Sequence, residues 1–140
     1  MTSDYVAFVR TASGKDLQIV EEHRAAALRE SAKYRGRPAG TIGTPVEVVS
    51  FVAGFAEDVL ASASLVRVSE SEWVVDHVWV QPDAREVGLG DTLMQACIEL
   101  VRTRAGRRIR ASAQPGDRAM KNLFERHGLV AETIIVARDV

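Results

Sequence analysis

Val80-Gln81-Pro82-Asp83-Ala84-Arg85-Glu86-Val87-Gly88-Leu89-Gly90-Asp91-Thr92-Leu93-Met94 passes from the end of an apolar, strand-like run, through a turn bearing two glycines, into an amphipathic helix. The start of a helix presents unpaired backbone N–H groups and a partial positive charge, and glycine lets a bulky anion approach the main chain. A diphosphate fits such a turn. The stretch is not a P-loop, because Asp91 stands where Lys would follow Gly90, and not a dinucleotide fingerprint, because Leu93 stands where the third glycine would be. Taken alone, two spaced glycines favour a plain turn capping a core helix.

Working outward, three strand-like runs precede the turn, at residues 46–55, 59–68 and 73–80, with short turn-prone joints at 56–58 and 69–72. Such short joints predict an antiparallel meander. Beyond Gly90, Leu93, Met94, Cys97, Ile98 and Val101 fall on one helical face up to about Arg104, and Gly106 stops the pattern. Residues 108–113 read as a further strand. Asp117 caps a helix carrying Ala119, Met120, Leu123 and Phe124 that ends at Gly128, and residues 130–138 read as a last strand. Towards the N-terminus, residues 5–10 read as a strand, and Ser13 with Asp16 mark a helix start. Leu17, Val20, Arg24, Ala27 and Leu28 then recur at helical spacing to about Lys33. Residues 34–45 hold three glycines and two prolines and read as a mobile surface loop. Strand, helix, three strands, helix, strand, helix, strand predicts an α/β (α+β) fold, a mixed central sheet flanked by helices.

A chain of 140 residues allows one domain, 1–140, and leaves no room for two. Eighteen basic against nineteen acidic side chains give a net charge of −1, so no global field recruits nucleic acid or an anionic membrane. Cys97 is the only cysteine, which excludes a disulfide framework and a multi-cysteine metal site and fits a reducing cytoplasm. No apolar segment approaches the ~18 residues of a membrane span, and no leader is apparent.

Context gives the glycine turn its meaning. It resembles motif A of the GCN5-related N-acetyltransferases (GNAT), Gln/Arg-x-x-Gly-x-Gly/Ala, with Arg85, Gly88 and Gly90 on the marked positions and Val80-Gln81-Pro82 as the Val-x-Pro lead-in. Residues 115–129 resemble motif B, usually Asn-x-x-Ala-x-x-Leu-Tyr-Glu-x-x-Gly-Phe. Leu123, Glu125 and Gly128 agree; Asp117, Met120, Phe124 and Leu129 stand for Asn, Ala, Tyr and Phe. The resemblance extends from about Val46 onward, and over the first 45 residues only as an order of elements.

The resemblance implies the acyl-CoA N-acyltransferase fold, and acetyl-CoA lying between the strand that ends at Val80 and the strand from Arg108. On the cofactor it implies main-chain groups of Val78, Trp79 and Val80 along the pantetheine arm. Amides of Arg85, Glu86, Val87, Gly88, Leu89, Gly90 and Asp91 would wrap the pyrophosphate, with Asp117, Lys121 and Phe124 of motif B alongside. It further implies direct attack by a primary amine of a small molecule or protein, with an N–H near Val80 polarising the thioester carbonyl. For the base that frees the amine it implies a carboxylate on the strand before motif A, where Asp76 stands six residues before Pro82; the same residue reads equally as a solvent-exposed strand-end charge. By strand alternation the adjacent His77 points to the other face. Position 112, a glutamate in some relatives, is Ser112. No metal is needed. Phe124 departs from the pattern, since a phenyl ring has no proton for the departing thiolate. The alternative is therefore a CoA-binding regulatory or interaction protein of the same fold with weak or no turnover. Tyr5 and Tyr34 are the only tyrosines, and Tyr34, beside the loop, reads first as a surface-loop residue and second as a substitute donor. Acceptor aside, no nucleic-acid or membrane partner is expected, and a homodimer stays open.

Arg102, Arg104, Arg107, Arg108 and Arg110 could meet RNA or a phosphate, but no interleaved aromatic set accompanies them, and cations at a helix C-terminus complement its dipole. Cys97 lies on the apolar helix face and reads as core. His23, His77 and His127 lack ligand spacing for zinc.

Overall fold

The three apolar runs form the middle of a five-stranded sheet. The computed structural model describes residues 6–36 and 44–140. The strands are β1 (Ala7–Thr11), β2 (Glu47–Phe55), β3 (Asp58–Arg67), β4 (Glu72–Val80) and β5 (Arg108–Arg110), in spatial order β1-β2-β3-β4-β5. The first four pair antiparallel, as short joints require, and β5 joins β4 in parallel through a crossover helix. The helices are α1 (Leu17–Ser31), α2 (Leu89–Thr103) and α3 (Arg118–Arg126). The expected mixed sheet flanked by helices is the fold observed. The expected loop at 34–45 lies mostly outside the described residues, as does Tyr5.

One face of the sheet carries the core. Trp73, Val75 and Val78 of β4 pack with Ala61, Ala63 and Leu65 of β3 against Leu89, Leu93, Met94, Cys97 and Val101 of α2 and Leu123 and Phe124 of α3. Cys97 is fully buried there, and burial pushes its thiol up to about 12, so it is core as read from the sequence.

Four expectations are corrected. The strand at 108–113 shortens to Arg108–Arg110, leaving β4 from Val75 onward without a neighbour on that side. Residues 130–138 form no strand: Ile134, Ile135 and Val136 are 85–88% exposed. Strand propensity is a fitness for a pleated, half-buried surface, and no described strand pairs with this segment. A side-chain clamp ties it to β5, Arg108 to both oxygens of Glu132, at 2.9 and 2.7 Å. In α1 the stripe that packs on the sheet is centred on Val20 and His23, while Leu17 and Leu28 face solvent. Finally, His77 and Asp76 share a face. The β3–β4 register shifts between Ser64 and Leu65, so that Ser64 pairs with His77, Leu65 with Val75, and Asp76 is the extra residue of a β-bulge. A bulge breaks alternation and turns both side chains towards α1.

No described helix is long and apolar enough to cross a membrane. The arginine-rich stretch is largely neutralised: Arg102 pairs with Glu99, Arg104 with Glu47, Arg108 with Glu72 and Glu132, and Arg110 with Glu72.

Candidate active site

The place where β4 parts from β5 is built from main chain. Gln81 donates its N–H to the Leu60 carbonyl of β3 at 2.8 Å. Successive peptide groups of a strand alternate sides, so the N–H and C=O of Val80 and Val78 face away from β3, into the gap beyond the end of β5. No described strand pairs with that edge, and its Val80 carbonyl is occupied by a side chain, Arg85.

At the mouth of the gap, the chain turns into α2. Glu86 and Gly88 adopt left-handed conformations, with φ of 69° and 91°, and Gly88 is the N-cap. The first amide of α2 with a backbone partner is that of Thr92, bonded to the Gly88 carbonyl at 3.0 Å. Among the described residues, no hydrogen bond engages the amides of Glu86, Val87, Gly88, Leu89, Gly90 or Asp91. These N–H groups, reinforced by the helix dipole, form an anion seat. Gly90 sits where α2 crosses the end of β4 and α3: a Cβ there would lie 3.4 Å from Leu123 and 4.0 Å from Val80. The Asp91 side chain is turned away and accepts from Arg126 (3.1 and 3.2 Å) and lies 2.8 Å from His127 Nε2. These contacts hold its carboxyl below the usual range, with the Arg126 hydrogen bond the main cause. They also clamp the end of α3 to the start of α2.

Motif B is placed beside this turn. Asp117 caps α3 by accepting from the Met120 N–H at 3.1 Å, as the sequence indicates. Lys121 is exposed, 3.9 Å from Glu125. Phe124 is 8% exposed and packed in the core, so it has no polar role. Tyr34 lies beside the loop before α3, with its ring edge 3.7 Å from where a Cβ on Gly116 would be. Gln114 holds the same stretch by donating to the Gly36 carbonyl at 3.1 Å.

The opposite face of β4 is polar. The bulge presents the Asp76 carboxylate to Arg24 of α1 at 2.8 Å. Next to it, Ser62 Oγ joins two buried imidazoles, 2.8 Å from His23 Nδ1 and 3.0 Å from His77 Nε2, while His77 Nδ1 is buried without a partner. Burial, with smaller contributions from His23 and Arg24, lowers the His77 pKa to about 4, so the ring is neutral at pH 7. Further along, Trp79 stacks against His23 with ring centroids 4.6 Å apart, and donates to Glu30 at 3.2 Å. Arg85 is already engaged: its Nε donates to the Val80 carbonyl (2.7 Å), and Nη2 to Glu30 (2.6 Å). The position of Glu30 and the bulge at Asp76 were not visible in the sequence; the recurrence of His23, Ala27 and Glu30 at helical spacing was the only available signal. Among the described residues, no cluster of His, Cys, Asp or Glu could hold a metal.

The sequence profile described as the Acetyltransferase (GNAT) family matches residues 7–129. The fold is similar to that of AAC(6')-Iy in complex with the bisubstrate analogue CoA-S-monomethyl-acetylneamine: TM-score 0.72 at 14% identity, covering 96% of this chain and 99% of that one. An aminoglycoside acetyltransferase from an uncultured soil metagenomic sample, in complex with trehalose, gives 0.71 at 12% identity, covering 98% and 97%. A predicted acetyltransferase from Clostridium acetobutylicum, with acetyl-CoA, gives 0.72 at 12% identity, covering 96% of each chain. No curated protein matches significantly in sequence.

Proposed function

Because the chain belongs to the GNAT family of acetyltransferases, we propose that it is an acetyl-CoA-dependent N-acetyltransferase acting on a primary amine. The observation that carries this reading is the pairing of a strand edge at Val78 and Val80 that has no described strand beside it with free amides from Glu86 to Asp91 at the head of α2. One suits an amide-bearing arm laid along β4 as an added strand, the other a diphosphate. Acetyl-CoA carries both, and supplies an activated thioester.

The chain's own residues would divide the work as follows. Val78, Trp79 and Val80 align the arm; Arg85, Glu86, Val87, Gly88, Leu89, Gly90 and Asp91 hold the diphosphate; Asp117, Lys121 and Phe124 border it. Asp76, turned by the bulge to the α1 face, takes the proton from the acceptor ammonium, directly or through water. Arg24 orients that carboxylate. A neutral amine then attacks the thioester carbonyl, the C–S bond breaks, the attacking nitrogen gives up its surplus proton to water, and the thiolate takes a proton from water. With Phe124 buried, no motif B side chain donates one. Thiols of pKa ~8–9 leave tolerably without an acid, and the loss of a general acid typically costs about 10²- to 10⁴-fold, so turnover is slow. Burial of Phe124 also favours the second reading, a CoA-binding regulatory protein of the same fold.

Calorimetry with CoA, followed by a thiol-release assay with acetyl-CoA and a panel of amines, tests both. CoA binding with slow, amine-dependent thiol release supports the enzyme. Binding with no release across the panel supports the regulator, and no heat at millimolar CoA removes both.

A further inference from the structure

Arg85 does not lie free on the surface. Its guanidinium has a carboxylate on one side, Glu30 at 2.6 Å, a main-chain carbonyl on another, Val80 at 2.7 Å, and the indole of Trp79 beneath it, 5.8 Å from the ring centroid. Trp79 fixes the carboxylate by donating to the same Glu30 oxygen. Carboxylate, carbonyl and aromatic face are the three groups that recognise an organic cation. The seat opens on the gap, because the Val80 carbonyl is one of the groups that line it.

We propose that Glu30, Trp79 and the Val80 carbonyl form a recognition site for a second positive charge on the acceptor, and that Arg85 is its internal placeholder. This rests on the acetyltransferase reading and names the acceptor class: an amine carrying another ammonium or guanidinium group. The exchange is driven by charge. Arg85 directly precedes the free amides of the turn, so a diphosphate held there draws the guanidinium off Glu30. The carboxylate left behind is partly buried. Burial alone would raise its pKa, and hydrogen bonds from Arg85 and Trp79, with attraction from Arg85 and Lys33, outweigh that and hold it below the usual range. Deprived of Arg85, Glu30 needs another cation, and the acceptor supplies it. Coenzyme binding thereby prepares the acceptor site, and the coupling is reciprocal.

The probes are 1,5-diaminopentane and pentylamine, titrated calorimetrically into the full chain with and without saturating CoA, which cannot acetylate them. In wild type, CoA strengthens diamine binding about tenfold over pentylamine, and without CoA the two are alike. Arg85→Ala acquires the diamine preference without CoA. Glu30→Gln loses it under both conditions, the diamine falling to the pentylamine level. Equal binding of both probes to CoA-loaded wild type, or an undiminished preference in Glu30→Gln, overturns the site while leaving the acetyltransferase reading intact. Absence of any CoA heat fails that reading first.

Discussion

The two faces of the sheet obey different physics, though the same strands build both. On the α2 and α3 side, Trp73, Val75 and Val78 of β4 pack into one apolar cluster, with Arg67 over the Trp73 ring as its charged edge. On the α1 side, the alternate residues of the same strand are Asp76, His77 and Trp79, each tied to α1 or β3 by a hydrogen bond or ion pair. The apolar face fixes where the α2 turn and the gap beside β4 sit. The polar face handles charge. The bulge at Asp76 separates the two, for without it Asp76 and His77 would point to opposite faces and one ionisable group would lie in the core.

The largest effect that tests this division falls on chemistry. Asp76→Asn keeps the shape of the bulge and removes the proposed base, so turnover should fall about 10²- to 10⁴-fold while CoA affinity, proposed to rest on the α2 turn, stays within about twofold. Because the Arg24 pair is partly exposed, stability should change by no more than about 1 kcal/mol. Unchanged turnover would take Asp76 out of the base role and blur the division.

The second prediction acts from the apolar face. Leu93 is fully buried under the sheet, and Leu93→Ala should cost about 2–5 kcal/mol in urea unfolding through lost transfer energy and a cavity. Its effect on diamine recognition at the Glu30 seat should be negligible, since no contact of Leu93 crosses the sheet. A coupled loss of both would mean that the faces are one mechanical unit.

Legibility from sequence follows the same line. The apolar face was almost fully readable: β2, β3, β4 and α2 match their apolar runs to within about two residues, because burial imposes period 2 or 3.6 on side-chain type. The polar face was readable only as isolated residues. A bulge leaves no mark in composition: strict alternation along Val75-Asp76-His77-Val78 sends Asp76 and His77 to opposite faces, and only the pairing with β3 shows that Asp76 is extra. Leu17 and Leu28 misled for α1, whose inward stripe is held by His23 and Glu30 through hydrogen bonds, and hydropathy does not register those. The segment at 130–138 failed for the reverse reason: it has strand-like residues but no described partner strand. For the glycine turn, sequence gave the free amides of α2 but not the engagement of Arg85, which depends on a carboxylate 55 residues earlier.

The polar face should also announce itself in acid. Folded His77 titrates near pH 4 against a usual value near 6.5, with burial the main cause and His23 and Arg24 of α1 adding to it. Around it stand Ser62 of β3, His23 and Arg24 of α1, and Asp76 beside it in β4. Between pH 6.5 and 4, the unfolded chain binds a proton that the fold refuses. The stabilising contribution is therefore complete above 6.5 and drains as pH falls to about 4, by about 3 kcal/mol. His23, whose pKa is lowered by burial against a smaller opposing pull from Glu22, adds in the same direction. Carboxylates held below their usual range, Asp91 and Glu30 among them, lose their contribution only at lower pH. His77→Gln keeps a partner for the Ser62 hydroxyl and abolishes the titration. Urea midpoints measured every half unit should fall from pH 6.5 to 4 in wild type and much less steeply in His77→Gln, leaving the share of His23. A flat wild-type profile across that window would mean that water reaches His77, and that the polar face is far wetter than its geometry shows.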